Sequence, residues 1–426
     1  MQPLSGVRVL DLSRLLPGPY CTLVLSDLGA QVDKVEDPHV GDYLRLMPPT
    51  GPSTGEDPGL SGRFVALNRD KRSLCLDLKH PEGRKALLRL LPHYHVLVES
   101  FRPGVLARLG LGLEVLHAHN PALVVCSISG YGQDGPYRER AGHDLNYAAL
   151  AGVLAMSGPS PQTPPHPLPI QLADLGAGGL WAAVGILAAL RKAEHSGEGS
   201  HLDISMCEGT LSFLIPDFGN LEVQPEAAAP QRGSDLLTGG MACYSVYRTS
   251  DDKFLAVAAL EPKFWAHLNH VLGRPIDPSE LLAPPDEQER LRGELQAIFL
   301  QKTRAEWESV FAIADACVEP VLTPSEVRHH PLHRDRAVFF DGNPHSDLPG
   351  RPLPQVRTPL RPRNLPCGEP PTHGRDSKTI LQEAGFSQDD IDGLLKLSVT
   401  KYPWCFRDTP IQWPCLGSTS LAPRKT

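Results

Sequence analysis

The fold is decided by the first β-α-β unit, in which Val7-Arg8-Val9-Leu10-Asp11-Leu12 precedes a helical stretch at 22–28 and a second apolar run, Val32 to Val35. Short apolar runs that alternate with helical patterns are typical of parallel strands joined by crossover helices. Further strands are predicted at 73–78, 96–99, 123–128 and 201–206, and helices at 82–91, 105–119 and 174–193. We therefore predict an α/β fold with a large Rossmann-like domain.

The turn after the first strand excludes two common nucleotide-binding classes. Leu16-Pro17-Gly18-Pro19 stands where a dinucleotide-binding fold has G-x-G-x-x-G. No G-x-x-x-x-G-K-[ST] motif occurs elsewhere in the chain. Nicotinamide enzymes and P-loop nucleotide enzymes therefore lose their main sequence support.

The composition is that of a globular chain rich in proline. The 426 residues include 43 prolines and 38 glycines, yet 41% are hydrophobic and only 21% are charged, which argues against disorder. The net charge of −8 disfavours nucleic-acid binding. We expect no signal peptide and no membrane span. The nine cysteines form no C-x-x-C pair, which indicates reduced thiols and a cytoplasmic location.

A second unit follows the long apolar helix. Strands predicted at 244–249 and 254–260, with helices at 263–272, 287–301 and 304–314, indicate a smaller α+β domain. Residues 377–397 are predicted as short helices, with Gly385 as a stop and Ser387 as an N-cap. The predicted organisation is a large domain at 1–195, a linker at 196–235, a small domain at 236–325, a return connector with helices at 326–397, and a poorly ordered tail at 398–426.

His143 and Asp144 are the first candidates for chemistry. They are predicted to lie in the first turn of a helix that follows a loop rich in glycine and proline. The positive end of the helix dipole would stabilise an anion there and keep His143 available as a neutral base. The alternative is a capping Asp144 beside an exposed histidine.

Two further carboxylates are also ambiguous from sequence. Asp174 precedes Leu175-Gly176-Ala177-Gly178-Gly179, so it is either an N-cap or an acid/base group whose pKa is raised by apolar neighbours. Glu261 follows the strand at 254–260, where it either faces a cleft or is a solvated carboxylate at a helix start.

Two other groups of residues are candidate ligand sites. His329-His330-Pro331-Leu332-His333 resembles a metal cluster, but the proline breaks the helical spacing and we predict no metal site. A phosphate-rich ligand could use the basic residues near predicted strand ends, although ordinary surface charge explains them equally well. These residues are Arg69, Lys71, Arg72, Lys79, Arg102 and Arg108.

Motifs spread from the start of the chain to about residue 395 resemble the family III CoA transferases (CaiB/BaiF), and within them the α-methylacyl-CoA racemase subgroup. They include Asp27-Leu28-Gly29-Ala30, Ser100-Phe101-Arg102-Pro103-Gly104, Ala141-Gly142-His143-Asp144-Leu145-Asn146-Tyr147 and Glu261-Pro262-Lys263-Phe264-Trp265. The resemblance implies two domains joined by crossing linkers, with two chains interlocked as a homodimer. It places the active site between the large domain of one chain and the small domain of the other.

The resemblance also implies an activity, namely inversion of the α-carbon of 2-methylacyl-CoA thioesters through an enolate. His143 and Asp174 would transfer the proton, Glu261 would support the histidine, and the backbone amide of Asp144 would face the enolate oxygen. No cofactor is implied, since coenzyme A is part of the substrate. The implied coenzyme A contacts are Leu76, Asp77, Leu78, Lys79, Ser100, Phe101, Arg102, Arg108, Gly142, Asp144, Asn146 and Tyr147.

Two departures from the racemase pattern are visible. Asp37 stands where the racemases have an arginine, so one expected phosphate contact is missing unless Lys34 or the 48–58 insertion provides it. Thr238 stands where an aspartate is usual. Leu150, Val153, Leu154 and Met156 suggest a hydrophobic acyl chain of fatty, sterol-side-chain or aryl-propionyl type. The alternatives are a CoA transferase that forms a covalent intermediate on Asp174, and a non-catalytic acyl-CoA-binding protein.

Overall fold

The main sheet of the protein is built from six parallel strands in the order β3-β2-β1-β4-β5-β6. The structure is a computed structural model that describes residues 2–51, 60–223, 231–342 and 353–402. This order is that of the doubly wound Rossmann fold, so the predicted α/β class with Rossmann-like winding is confirmed. The strands are β1 (Arg8–Asp11), β2 (Gln31–Glu36), β3 (Arg72–Cys75), β4 (Val96–Glu99), β5 (Val124–Ser129) and β6 (Ser200–Ser205).

The central strands are buried on both faces. Every residue of β4 and β5 is buried, and Val9 of β1 pairs with Val32 of β2 on one side and Val96 of β4 on the other. Two hydrophobic clusters cover the two faces, one around Leu10 and Leu97 and one around Val9 and Val98. Because parallel strands have crossover helices on both faces, they appear in the sequence as continuous apolar runs.

Helices cover both faces of this sheet. They are α1 (Pro17–Asp27), α2 (Gly62–Asn68), α3 (Pro81–Leu90), α4 (Val105–Arg108), α5 (Leu113–His119), α6 (Asp144–Leu150), α7 (Trp181–Ser196), α8 (Met206–Leu211) and α9 (Ile215–Val223). The single helix predicted at 105–119 was wrong, because Gly110 has φ +74° and separates α4 from α5. Short 3-10 turns lie at Tyr43–Leu46, Leu91–His93, Val153–Met156 and Ser212–Leu214.

The apolar segment before β6 begins as a π-helix, Leu172–Leu180, and continues as α7. Together they span Leu172–Ser196, the one helical segment of the described residues that is long and apolar enough, by length and composition alone, to cross a membrane. This helix packs against α1 and against β5 and β6 of the large sheet, and Ala182, Ala183 and Ile186 are buried there. On the opposite side Trp181 and Val184 are exposed.

A second unit has a hydrophobic core of its own. Tyr247, Trp265, Leu295 and Phe299 are buried in this core. Its antiparallel sheet has the order β7-β8-β9, and two of its helices contact the two outer strands of this sheet. The elements are β7 (Tyr244–Arg248), β8 (Phe254–Ala258), α10 (Pro262–Leu272), a 3-10 turn (Pro278–Leu282), α11 (Pro285–Phe299), α12 (Arg304–Phe311) and β9 (Val318–Pro320). The linker predicted at 196–235 contains β6, which pairs with β5 and so belongs to the large sheet.

The chain then returns to the large sheet. It forms α13 (Pro324–Val327), α14 (Pro331–Asp335), β10 (Phe339–Gly342), β11 (Leu353–Val356), α15 (Ser377–Glu383) and α16 (Gln388–Lys396). Gly385 has φ +78° after α15, and the Ser387 side chain accepts from the Asp390 amide, so both predicted end signals are confirmed. In the predicted tail, Val399 and Thr400 are buried against β3, whereas 403–426 lie outside the described residues.

A glycine in α3 tests this packing. The Gly83 backbone lies directly against the Asp77 carbonyl oxygen, so a Cβ there would clash. We expect Gly83→Ala to lower the free energy of unfolding by about 2–3 kcal/mol in urea titrations, because the backbone must move apart. The matched control is Gly293→Ala in α11, where a Cβ meets nothing within 4 Å and should stabilise the helix by about 1 kcal/mol. Equal effects of the two substitutions would contradict this packing.

Candidate active site

A cavity of about 490 Å³ lies at the carboxyl ends of the central strands. Its walls come from the segments that follow β1, β4 and β5, together with the start of α6 and the π-helix. The strand order reverses between β1 and β4, and ligands of open parallel sheets bind at such a point. The lining residues are Arg14, Leu15, Pro17, Tyr43, Ser100–Pro103, Ile128–Tyr131, Arg138, Arg140–His143, Asn146, Tyr147, Asp174 and Met206.

His143 is the N-cap residue of α6 and lines this cavity with its side chain exposed. Its backbone amide donates to Asn146 Oδ1 at 3.0 Å, and the Tyr147 hydroxyl donates to the Gly142 carbonyl at 2.5 Å. Both bonds fix the backbone from which the imidazole projects. The amide of Asp144, the first residue of the helix, is one of the N–H groups for which an α-helix supplies no acceptor.

Asp174 lies in the first turn of the π-helix, on the same cavity. Asp144 Oδ1 accepts from the amides of Ala173 at 2.7 Å and Asp174 at 3.0 Å, which ties this turn to the start of α6. Burial, together with the smaller effect of the nearby Asp144 carboxylate, raises the pKa of Asp174 to about 7. A carboxyl with this pKa can both accept and donate a proton at neutral pH.

The capping alternatives are resolved by these bonds. Asp174 is not an N-cap, because the helical segment begins at Leu172 and no side-chain cap bond is present at its start. Asp144 does act as a cap, but for the Asp174 segment rather than for its own helix. His143 is exposed, as the alternative of a capping Asp144 beside an exposed histidine predicts, and it also lines the cavity.

The predicted coenzyme A contacts divide into two sets. Ser100, Phe101, Arg102, Gly142, Asn146 and Tyr147 line the cavity. The cavity lining does not include Leu76, Asp77, Leu78, Lys79, Arg108 or Asp144. Leu76 is buried in the core, whereas the Lys79 side chain is 83% exposed. The roles of all these residues stay predictions.

Glu261 lies away from this cavity. It is the exposed N-cap residue of α10 in the small unit. Leu150, Val153, Leu154 and Met156, which suggested a hydrophobic acyl chain, also do not line the cavity, and Leu150 is 55% exposed.

Several predicted phosphate-binding cations are committed to buried ion pairs. Arg69 makes two bonds to the Asp27 carboxylate, and Arg72 pairs with Asp33. Lys34 is fully buried and lies 3.0 Å from Asp42 Oδ2, so it does not replace the arginine missing at Asp37. Neither alternative from the sequence, a phosphate contact or ordinary surface charge, describes the buried Arg69, which forms a structural ion pair. At the second departure, the Thr238 hydroxyl accepts from the Asp235 amide.

Part of the cavity wall was not predicted from the sequence. Arg14 and Leu15 follow β1, Tyr43 follows β2, and Arg138 and Arg140 lie in the loop after β5. The available signal was their position at the carboxyl ends of strands. Within the described residues, no group of three or more His, Cys, Asp and Glu could hold a metal ion.

Comparisons with known proteins place this geometry in a family. The model of CoA-transferase family III matches residues 4–377. The chain belongs to CoA-transferase family III. The earlier resemblance is therefore confirmed.

Two curated relatives are α-methylacyl-CoA racemases. The human protein is 39% identical over 389 residues, covering 91% of this chain and 95% of that protein, and the mouse protein is 41% identical over 395 residues with the same coverage. Succinyl-CoA–D-citramalate CoA-transferase of Chloroflexus aurantiacus is 36% identical over 70% of each chain. A crystal structure of a CaiB/BaiF family protein from Brucella suis matches with a TM-score of 0.76 and 28% identity, covering 90% of this chain and 99% of that one.

The raised pKa of Asp174 predicts a pH-dependent stability. The folded protein binds the proton of the Asp174 carboxyl more tightly than the unfolded chain does. Loss of this proton therefore destabilises the fold as pH rises from about 4 to about 7. We expect Asp174→Asn to raise the free energy of unfolding by about 1–2 kcal/mol at pH 8, a figure reduced for solvent screening. Near pH 4 the two proteins should be equally stable in urea titrations. A constant difference at both pH values would contradict the raised pKa.

Proposed function

We propose that the protein is a racemase or epimerase that inverts the α-carbon of 2-methylacyl-CoA thioesters. The observation that supports this most directly is the presence of His143 and Asp174 on one cavity at the switch point of the sheet. The racemases among the relatives, at 39% and 41% identity, support the same substrate class. The absence of a cofactor and a cytoplasmic location stay predictions.

Inversion next to a thioester carbonyl requires two proton transfers. One group removes the α-proton from one face, which forms an enolate, and a second group returns a proton to the opposite face. His143 and Asp174 would exchange these roles with the direction of the reaction. Asp174 suits the task because its pKa of about 7 lets it begin either charged or neutral. The backbone N–H of Asp144, the first residue of α6 and next to the cavity-lining His143, would donate to the enolate oxygen.

The alternative is a CoA transferase, in which Asp174 attacks the thioester carbonyl of the acyl donor, the C–S bond breaks with release of the CoA thiolate, and a covalent mixed anhydride forms on Asp174. Relatives that bear transferase names, at about 36% identity, favour it. Asp174 alone would serve that reaction, whereas the racemase also uses His143. Hydroxylamine-sensitive inactivation in the presence of an acyl-CoA and an acceptor acid, without α-proton exchange, would favour the transferase.

A homodimer forms part of this proposal. Large apolar side chains of α6 to α9 and of the turn between α8 and α9 are exposed, and a second copy of the chain would cover them. Glu261 would then reach the cavity of its partner rather than its own. The exposed side chains are Leu145, Leu150, Trp181, Val184, Leu211, Phe213, Ile215 and Phe218.

Proton exchange at the α-carbon tests the catalytic pair. In deuterated water, the protein should incorporate deuterium into a 2-methylacyl-CoA as it racemises. His143→Ala and Asp174→Ala should each lower the rate by about a hundredfold or more, because one of the two acid/base groups is missing. His166→Ala, an exposed histidine outside the cavity, is the control and should keep full activity. Unchanged exchange in either cavity variant would refute the two-base assignment.

Mixing two inactive variants tests whether the site is shared between chains. Dimers reassembled from His143→Ala and Glu261→Ala chains would contain one site with both native residues. We expect the mixture to recover about a quarter of the native activity, since about half of the dimers are mixed and each has one intact site. If Glu261 acted within its own chain, mixing would restore nothing. If Glu261 had no role, Glu261→Ala alone would keep the native activity.

A further inference from the structure

A row of polar side chains crosses the large sheet beside the cavity. Glu99, the last residue of β4, is in register with Ser127 of β5, which is in register with Asp203 of β6. Register neighbours on parallel strands project from the same face of a sheet. Glu99 is 4% exposed and Ser127 is buried, whereas Asp203 is exposed. The row therefore begins with a buried carboxyl group and ends in solvent.

The Glu99 carboxyl group has no positive partner. Within the described residues, no lysine, arginine or histidine side chain forms an ion pair with it. On the β6 side, His201 Nε2 lies 3.1 Å from Ser127 Oγ. Burial lowers the pKa of His201 despite the opposing effect of Asp203, and His117 of α5 lowers it further. His201 therefore carries little positive charge at neutral pH.

Three arginines near the loop that follows Glu99 do not neutralise it either. Arg102 and Arg108 are exposed. The Arg14 guanidinium lies 5.8 Å from the Phe101 ring centre. None of the three contributes to the acidity of Glu99, which is set by burial and by uncharged hydrogen-bond donors together with Asp203.

Glu99 attaches the cavity wall to the sheet. Its Oε2 atom accepts from the Phe101 amide at 2.7 Å. Phe101 lines the cavity, and its ring packs on the hydrophobic cluster that contains Leu97. All four residues of the loop at 100–103 line the cavity, so a movement of this loop changes the cavity itself.

The loop after β1, on the neighbouring wall, is fixed by paired charges instead. Lys34 Nζ donates to the Ser13 carbonyl at 2.8 Å, and Asp11 Oδ1 accepts from the Ser13 amide at 2.9 Å. Burial raises the pKa of Asp11, but Lys34, Lys71 and hydrogen bonds outweigh this effect and hold the pKa below its usual range. Asp11 therefore stays ionised near neutral pH, where Glu99 changes its charge.

The direction of the effect at Glu99 follows from its burial. Burial raises the pKa of Glu99 to about 7, although hydrogen bonds from Ser127 and the Phe101 amide lower it, and Asp203 has a smaller upward effect. If the loop moved away from the sheet, water would reach Glu99 and its pKa would fall towards the ordinary value of 4.5. The closed loop thus binds the proton more tightly than an open loop. Loss of the proton therefore favours opening.

We propose that Glu99 makes the loop at 100–103 sensitive to pH: its neutral carboxyl group keeps the loop closed on the sheet, and loss of the proton opens the loop and weakens ligand binding. This inference rests on the proposed function in one respect, namely that the cavity binds an acyl-CoA. Glu99 does not line the cavity, so it is a positioning residue that acts through Phe101. Its effect should fall on binding rather than on proton transfer at the α-carbon.

Binding measured at two pH values tests this role. The ligand is 2-methylpropanoyl-CoA, whose α-carbon is not a stereocentre, so racemisation cannot change it during the measurement. Glu99→Gln keeps the shape and an acceptor for the Phe101 amide but cannot ionise. We expect equal Kd values for the two proteins at pH 5.5, and a native Kd about tenfold higher or more than that of Glu99→Gln at pH 8.5. Titration of the ligand phosphates and of Asp174 affects both proteins alike and cancels in the ratio.

Control variants separate this role from general damage. Glu114→Gln removes an exposed carboxylate of α5 outside the cavity and should keep the native pH dependence. Glu99→Ala loses the acceptor for the Phe101 amide and should bind weakly at both pH values. The kcat for α-proton exchange by Glu99→Gln should stay within about twofold of the native value. A Kd ratio that does not change with pH, tight binding by Glu99→Ala, or a loss confined to kcat would each overturn the inference.

Hydrogen exchange tests the loop in the native protein without any variant or ligand. After correction for the intrinsic pH dependence of exchange, protection of the Phe101 amide should fall about tenfold or more between pH 6 and pH 8.5. Protection of the Val125 amide, in the buried strand β5, should fall less, because it reports the stability of the whole sheet. Equal changes at the two amides would contradict the inference.

The same ligand distinguishes this inference from the proposed function. If the protein does not exchange the α-proton of 2-methylpropanoyl-CoA but the Kd ratio changes with pH as expected, the racemase proposal fails and the role of Glu99 stands. If exchange occurs and the Kd ratio stays constant, the racemase proposal stands and the role of Glu99 is wrong.

Discussion

A set of buried ion pairs at the carboxyl ends of β1 and β2 holds the wall on which the site depends. Asp11 lies 3.4 Å from Lys71, Lys34 lies 3.0 Å from Asp42, and Glu36 lies 2.7 Å from an Arg45 nitrogen. All of these side chains are buried, and deleting one partner from such a pair typically costs about 3–5 kcal/mol. Apolar replacements of equal volume could pack there, but they would not position the amides and carbonyls of the loop after β1.

Much of the fold could be predicted because strands buried on both faces form continuous apolar runs. Val96–Glu99 was predicted with the same bounds, and the other strands of the large sheet within a few residues. The helix at 105–119 was wrong because the apolar pattern continues through Gly110, whose left-handed backbone stops the helix. The π-helix could not be predicted, since its start depends on bonds to Asp144, which lies 29 and 30 residues away from the amides it accepts.

The candidate site was only partly predictable. His143 and Asp174 stand in motifs that the family resemblance singles out, and the structure brings them to one cavity. The arginines were harder to sort. Arg69 and Arg14 both lie near strand ends, but only the folded chain shows that Arg69 neutralises a buried aspartate while Arg14 faces the cavity. Local sequence specifies that a cation is present and does not specify which carboxylate it meets.

The Asp144 carboxylate performs two tasks with one group. It holds the amides of Ala173 and Asp174 in place, and its charge helps to keep the Asp174 proton bound near neutral pH. Geometry and acidity of Asp174 are therefore coupled, and substitution of Asp144 changes both at once. An enzyme engineer who wished to shift the pH optimum without disturbing the site would have to substitute another residue, because at Asp144 the position of the Asp174 backbone and the pKa of its carboxyl cannot be changed separately.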